Sequence, residues 1–307
     1  MYRKIILAGG SGYLGQVLAN YYRDKAANII VLSRNKDEDK GNIRFVLWDG
    51  TNKGPWVQEL EGADLLVNLS GKNVNCRYTE KNRKEILRSR IEPTGLLGSA
   101  IGDLADPPAC WIQFASATIY RHAEDHYQDE DGGEIGSGFS IDVCRTWEKA
   151  FWNCNTPRTK KVLLRVGIVL ARLDGVLPRL KNLVKLGMGG KQGNGRQYIS
   201  WIHEQDLARI TEWVRENGKD GDIYNATAPE AIQNTDLMKL LRQTHGIPFG
   251  LPAPRWLLEA GAVLIGTETE LILKSRWVYP GRLLKKGFQF RFAKAEHAVH
   301  EIWSCRV

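Results

Sequence analysis

The chain has 307 residues, 43% of them hydrophobic and 25% charged, with a net charge of +8. These proportions fit a globular protein large enough to bury a substantial core, and they exclude a disordered or low-complexity chain. No apolar run approaches the roughly 20 residues that span a bilayer, and the basic residues are scattered, with short clusters such as Lys160-Lys161 and Lys285-Lys286, so neither a membrane nor a nucleic acid is the expected partner.

The first predicted strand covers 4–7. Glycines follow it at once at positions 9, 10, 12 and 15, and an amphipathic helix is predicted over 16–25. A glycine-rich turn between a strand and a helix is a nucleotide cradle. Gly9 permits the tight turn, Gly12 lets backbone approach a pyrophosphate, and Gly15 lets the helix pack close on the strand. The helix N-terminus then offers free N–H groups and a partial positive charge to phosphate. Further strands are predicted at 29–32, 43–47, 65–69, 111–114 and 162–166, with helices at 79–104 and 139–152. Apolar strands alternating with helices predict an α/β fold, a doubly wound parallel sheet of Rossmann type. Pro93 is expected to kink or break the long helix, and Asp106-Pro107-Pro108 to stop it.

Beyond residue 166 the texture changes. A glycine-dense stretch covers 187–195, Pro252 and Pro254 follow, and Gly287-Phe288-Gln289-Phe290 is a short aromatic stretch. The expected organisation is a dinucleotide-binding domain over 1–170, its sheet completed by segments near 198–226, and a small C-terminal α/β substrate lobe over 171–307, interleaved with it. Cysteines at 76, 110, 144, 154 and 305 are odd in number and show no metal-ligand spacing. Free thiols, a cytoplasmic location without a secretory signal, and no metal are expected.

The second strand ends Val31-Leu32-Ser33-Arg34, without the acid that commonly holds a ribose hydroxyl about 20 residues past the glycines. Ser33 and the Arg34 guanidinium suit a 2′-phosphate instead, which favours NADP(H) over the alternative NAD(H). The other reading of Arg34 is a solvated loop residue. Asp49 either contacts the adenine edge or forms the turn before Gly50.

Several segments together resemble the extended short-chain dehydrogenase/reductases: the glycine turn, Asn68-Leu69-Ser70-Gly71, and Ser116-Ala117-Thr118-Ile119-Tyr120. Ser89-Arg90-Ile91, Trp147-Glu148, Arg165 to Leu170, Ser200 to His203 and Tyr224 to Pro229 narrow the likeness. They are similar to the atypical "epimerase family protein" (SulA-like) subfamily of NAD-dependent epimerase/dehydratases, over residues 4 to about 302. The resemblance implies cofactor contacts from Gly9, Ser11, Gly12, Tyr13, Leu14, Gly15, Arg34, Leu69 and Gly71, with Ser70 beside them, and a homodimer through the two long helices.

It also implies a reaction centre. Ser116 matches the serine that orients substrate; its other reading is a strand-end hydroxyl capping a turn. The Tyr-x-x-x-Lys pair that moves the proton in ordinary members is missing, because the helix places Ser140 and Cys144 there. Tyr120 is a substitute phenol or a packed aromatic. Cys144 is a base or an inert buried thiol, and Glu148 is expected in a structural salt bridge. His203 exchanges protons or fixes the loop before Gln205. Arg165 and Gln197 hold a polar substrate or serve as ordinary strand-end and loop polarity. The expected function is an NADP(H)-binding oxidoreductase or epimerase/dehydratase-like enzyme acting on a carbonyl, hydroxyl or sugar-nucleotide substrate. The alternative is a dinucleotide-binding sensor or scaffold without turnover.

Overall fold

Apolar runs become buried strands in the computed structural model, which describes residues 1–35, 38–264 and 268–304; Cys305 lies outside the described residues. In chain order the strands are β1 (Tyr2–Ala8), β2 (Ala26–Ser33), β3 (Ile43–Leu47), β4 (Leu65–Asn68), β5 (Cys110–Ser116), β6 (Lys160–Val166), β7 (Ile168–Leu170), β8 (Tyr198–Ile199), β9 (Trp201–His203), β10 (Asp222–Ala226) and β11 (Ile232–Gln233). A seven-stranded sheet runs in the order β10-β6-β5-β4-β1-β2-β3, with every pairing parallel. Chain order reverses between β1 and β4. In doubly wound sheets ligands bind at such a reversal, outside the carboxyl ends of the strands.

The helices are α1 (Tyr13–Tyr22), α2 (Val57–Leu60), α3 (Glu80–Gly102), α4 (Phe139–Trp152), α5 (Val176–Lys185), α6 (Glu204–Asn217), α7 (Asn234–Thr244), α8 (Arg255–Leu264), α9 (Glu270–Leu273), α10 (Gly281–Lys285) and α11 (Ala295–Ser304). Strand alternation sends neighbouring residues to opposite faces. Ile5 and Leu7 pack with Leu18 and Tyr22 of α1 and Leu207 and Val214 of α6. Ile6 and Ala8 pack with Leu97 and Ile101 of α3 and Trp147 and Phe151 of α4. Each fully buried Leu, Ile or Phe contributes roughly 1.5–3 kcal/mol. That burial offsets the weak local propensity of the β-branched strands outside a sheet.

Pro93 does not break α3, which runs unbroken through it. One missing N–H is outweighed by the clamping of the helix: Thr94, Leu97 and Ile101 are buried, and the Thr94 hydroxyl donates to the Arg90 carbonyl at 2.7 Å. α1 starts three residues earlier than the apolar spacing predicts, because Gly12 is its N-cap. Of the segment 198–226, β10 joins the large sheet, whereas β8 and β9 form two-stranded ladders with β11 and β7.

A third core gathers Leu177 and Val184 of α5, Trp201, Leu237 and Leu241 of α7, and Val299 and Ile302 of α11. The chain then returns across the end of β5. Ser275 accepts from the Tyr198 backbone and donates to the Ala123 carbonyl, and the Arg276 backbone donates to the Tyr198 carbonyl. This return path brings the C-terminal segment to the carboxyl edge of the sheet.

Candidate functional site

The glycine turn has the shape a pyrophosphate needs. Gly9 adopts φ +71°, and a Cβ there would also press on Ser70. At Gly15 a Cβ would lie 2.0 Å from the Gly10 carbonyl oxygen, so only glycine lets α1 approach the strand end. Gly12 is different: a Cβ would meet nothing within 4 Å. No protein atom claims the space in front of Gly12, which is where ligand backbone contacts would fall. The Tyr13 phenol donates to Glu204 and the Leu14 side chain packs on the sheet core, so both serve the helix's seating.

A cleft of about 530 Å³ opens at the carboxyl ends of β1, β2, β3 and β4. Gly9, Ser11, Ser33, Arg34, Asp49, Leu69, Ser70 and Gly71 all line it. The Ser70 hydroxyl is buried with no hydrogen-bond partner among the described residues, an unmet need that a ribose or phosphate oxygen would satisfy. Asn68 fixes this turn, because its side chain accepts from the Ser70 N–H at 3.0 Å and donates to Thr94 and Gln113. Arg34 is exposed at the rim and pairs with no acid among the described residues. Ser33 is buried, and its hydroxyl accepts from the Asn35 N–H. Asp49 takes the turn-forming alternative: its carboxylate accepts from the Thr51 and Asn52 backbone and the Asn52 side chain, which hold its pKa well below the usual range.

The reaction centre expected beyond β5 is drawn differently. The Ser116 hydroxyl accepts from the Thr118 N–H at 3.2 Å, capping a short turn, and keeps its own O–H. Tyr120 is 1% exposed and locked. It donates to Asn225 at 3.0 Å and accepts from Arg165 at 2.8 Å, and burial pushes its pKa up. Arg165 meets Glu148 in a two-pronged pair at 2.9 Å and 2.9 Å. Burial opposes the Arg165 charge, but Glu148 outweighs it and holds the guanidinium protonated. Tyr120, Arg165, Glu148 and Asn225 therefore form one closed network between α4, the turn after β5, β6 and β10. Cys144 is the inert thiol, pushed up to about 12 by burial and by Glu148.

His203 is likewise engaged by its neighbours. It is fully buried, its Nδ1 accepts from the Gln205 N–H to cap α6, and its ring stacks on Phe292 at 3.9 Å. Burial lowers its pKa, against the raising effect of Glu301. Gln197 is buried and donates to the Gln192 carbonyl at 2.9 Å, tying loops rather than facing the cleft. No group of three or more metal-type side chains is placed to hold an ion among the described residues.

Sequence reasoning missed the supports of the site. Trp48 and Lys72 line the cleft, and the Arg90 guanidinium underlies Gly71, donating to the Lys72 carbonyl at 3.1 Å. It also missed a polar cluster at the helix that lacks the catalytic pair. Ser140 donates to Glu270 at 3.0 Å, Lys274 donates to the Thr118 carbonyl at 2.8 Å, and Arg276 donates to the Thr118 hydroxyl at 3.1 Å. Glu270, Lys274 and Arg276 come from sequence more than 120 residues away, with no motif to flag them.

Strand order and cleft together define a nucleotide-binding α/β protein of Rossmann type. The profile of the NAD dependent epimerase/dehydratase family matches residues 5–136, and that of a domain of unknown function (DUF1731) matches 253–302. Residues 5–136 thus form an NAD dependent epimerase/dehydratase family domain. Epimerase family protein YfhF of Bacillus subtilis (strain 168) is 29% identical over 97% of this chain and 97% of its own. The crystal structure of human epimerase family protein SDR39U1 (isoform 2) with NADPH superposes with a TM-score of 0.86 at 28% identity, covering 98% of this chain and 99% of that one. A nucleoside-diphosphate sugar epimerase from Corynebacterium glutamicum superposes at 0.74 with 27% identity, covering 98% of this chain and 58% of that one.

Proposed function

We propose that this protein is an NADP(H)-dependent oxidoreductase or epimerase/dehydratase-like enzyme acting on a carbonyl, hydroxyl or sugar-nucleotide substrate. The observation that carries the reading is the cleft at the sheet's reversal point, with Arg34 exposed at its rim and a Ser70 hydroxyl inside that has no partner among the described residues. The turn from Gly9 to Gly12 and the start of α1 would hold the pyrophosphate. Arg34 with Ser33 would hold a 2′-phosphate, and Leu69 to Gly71 would meet a ribose. That human SDR39U1 was crystallised with NADPH supports the choice of dinucleotide. When bound, a nicotinamide dinucleotide supplies or accepts hydride. Ser116, whose O–H is free of its own turn, would orient the substrate oxygen beside it.

The test is hydride exchange with purified protein, NADPH and panels of carbonyls and sugar nucleotides. Turnover that collapses in Ser116→Ala supports an enzyme. NADPH binding without exchange on any panel supports the second reading, a dinucleotide sensor, which the Ser140 and Cys144 replacements favour. Family resemblance further suggests a homodimer through α3 and α4, which light scattering would read as twice the 34.6 kDa chain mass.

A further inference from the structure

The helix that should carry a tyrosine and a lysine offers a serine and an inert thiol, yet the space around it is not apolar. Segment Glu270 to Arg276 crosses it and delivers two cations to the turn that follows Ser116. Lys274 is 9% exposed, and among the described residues its ammonium has one acceptor, the Thr118 carbonyl two residues beyond Ser116. An ammonium has three hydrogens to place. No carboxylate lies within ion-pair distance of this one among the described residues; its neighbour Glu270 is engaged by Ser140. A nearly buried, under-satisfied ammonium is costly to folding, and such groups concentrate where chemistry needs them.

We propose that Lys274 is the proton-transfer residue of this site, supplied by the C-terminal segment in place of the pair missing from α4. The proposal rests on the oxidoreductase reading above. In carbonyl reduction the carbon would gain hydride from a reduced nicotinamide dinucleotide, which is oxidised, and the oxygen gains a proton from Nζ. The product is an alcohol, the lysine is left as a neutral amine, and solvent water reprotonates it. In alcohol oxidation the neutral amine takes the hydroxyl proton while the carbinol hydride would pass to the oxidised dinucleotide. Burial is the main force that brings the Lys274 pKa down to about 8, helped by Arg276 and opposed by Glu270 and by Cys144 of α4. A group titrating there exchanges protons readily near neutral pH. Tyr78, whose phenol meets the Ser140 hydroxyl, is pushed upward by burial and stays protonated over the same range.

The experiment uses the full chain in two readouts. In protein labelled with 13C-lysine, one Cε signal should titrate near pH 8 and be absent from Lys274→Met. If no lysine signal titrates near pH 8, or the shifted signal survives in Lys274→Met, the proposal fails whether or not a substrate is known. In turnover, Lys274→Met should lower kcat at least about 100-fold, with NADPH affinity within about threefold because the lysine lies outside the dinucleotide cleft. Wild-type carbonyl reduction should decline as pH rises through about 8. Lys274→Arg keeps the charge but holds its proton too tightly to transfer it. Recovery of kcat by Lys274→Arg, or an unchanged pH limb in Lys274→Met, would assign the lysine to substrate positioning and overturn the proposal. A wild-type chain that binds NADPH but exchanges hydride with nothing would instead overturn the oxidoreductase reading, taking the proton-transfer role with it.

Discussion

Two arginines of this protein show how burial decides what a charge does. Arg34 stands exposed at the rim of the cleft and meets no acid among the described residues, so its fork is available to a phosphate. Arg34→Ala should therefore weaken NADPH binding by about 10-fold or more while leaving NADH nearly unchanged, as read by nucleotide fluorescence titration. Arg165 has the opposite fate. It is enclosed with Glu148, both side chains about one-tenth exposed, and it also supports Tyr120. Removing one partner of such a pair leaves an uncompensated buried charge, at a penalty of about 3–5 kcal/mol. Glu148→Ala should lower the thermal midpoint clearly by calorimetry. Any NADPH affinity measured on the folded protein should stay close to wild type, since neither residue lines the cleft.

Elements explain which features were legible in the sequence. The sheet and its glycine turn were readable because the central strands are apolar and buried on both faces, and because Gly9 and Gly15 sit where a side chain cannot fit. The two glycines of α1's entry make a paired prediction. Gly15→Ala should destabilise the fold, since its Cβ would meet the Gly10 carbonyl. Gly12→Ala should keep the thermal midpoint to within the small loss of an N-cap change, yet weaken NADPH at least about 10-fold by filling the space a pyrophosphate would use. The roles of Tyr120, His203 and Arg165 were not legible, because a sequence shows residue types but not which long-range partners close on them. Asn225, Glu148 and Glu301 are those partners. Lys274 was hidden for the same reason: its significance lies in the Thr118 carbonyl, 156 residues away.

His203 also yields a pH prediction at the scale of α6. Its folded pKa lies below the unfolded value near 6.5. The unfolded chain thus binds the proton more readily between these values. Stability from this group is complete above pH 6.5 and is lost as pH falls toward the lower folded value. His203→Asn keeps an acceptor for the Gln205 N–H but cannot titrate. Between pH 7.5 and 5 the wild type should lose more thermal stability than this variant; parallel curves would contradict the assignment.

On the scale of the whole molecule, the large sheet supplies the cleft and the C-terminal segment lays Lys274 and Arg276 on the turn after β5. Residues 275–277 bond to the loop after β5 and to β8 through the backbone of Ala123, Gln128 and Tyr198. No helix among the described residues is long and apolar enough to cross a membrane. A ligand that binds only the folded state at 100 times its Kd adds about 2.7 kcal/mol of stability, and saturating NADPH should raise the thermal midpoint accordingly.

The most direct measurement is a pair of calorimetric titrations of the purified chain, one with NADPH and one with NADH. A dinucleotide cleft with Arg34 at its rim predicts one saturable site, with NADPH bound at least about tenfold more tightly. Equal affinities would contradict the role of Arg34. Absence of saturable heat for both, at micromolar protein and millimolar nucleotide across two temperatures, would contradict the cleft itself.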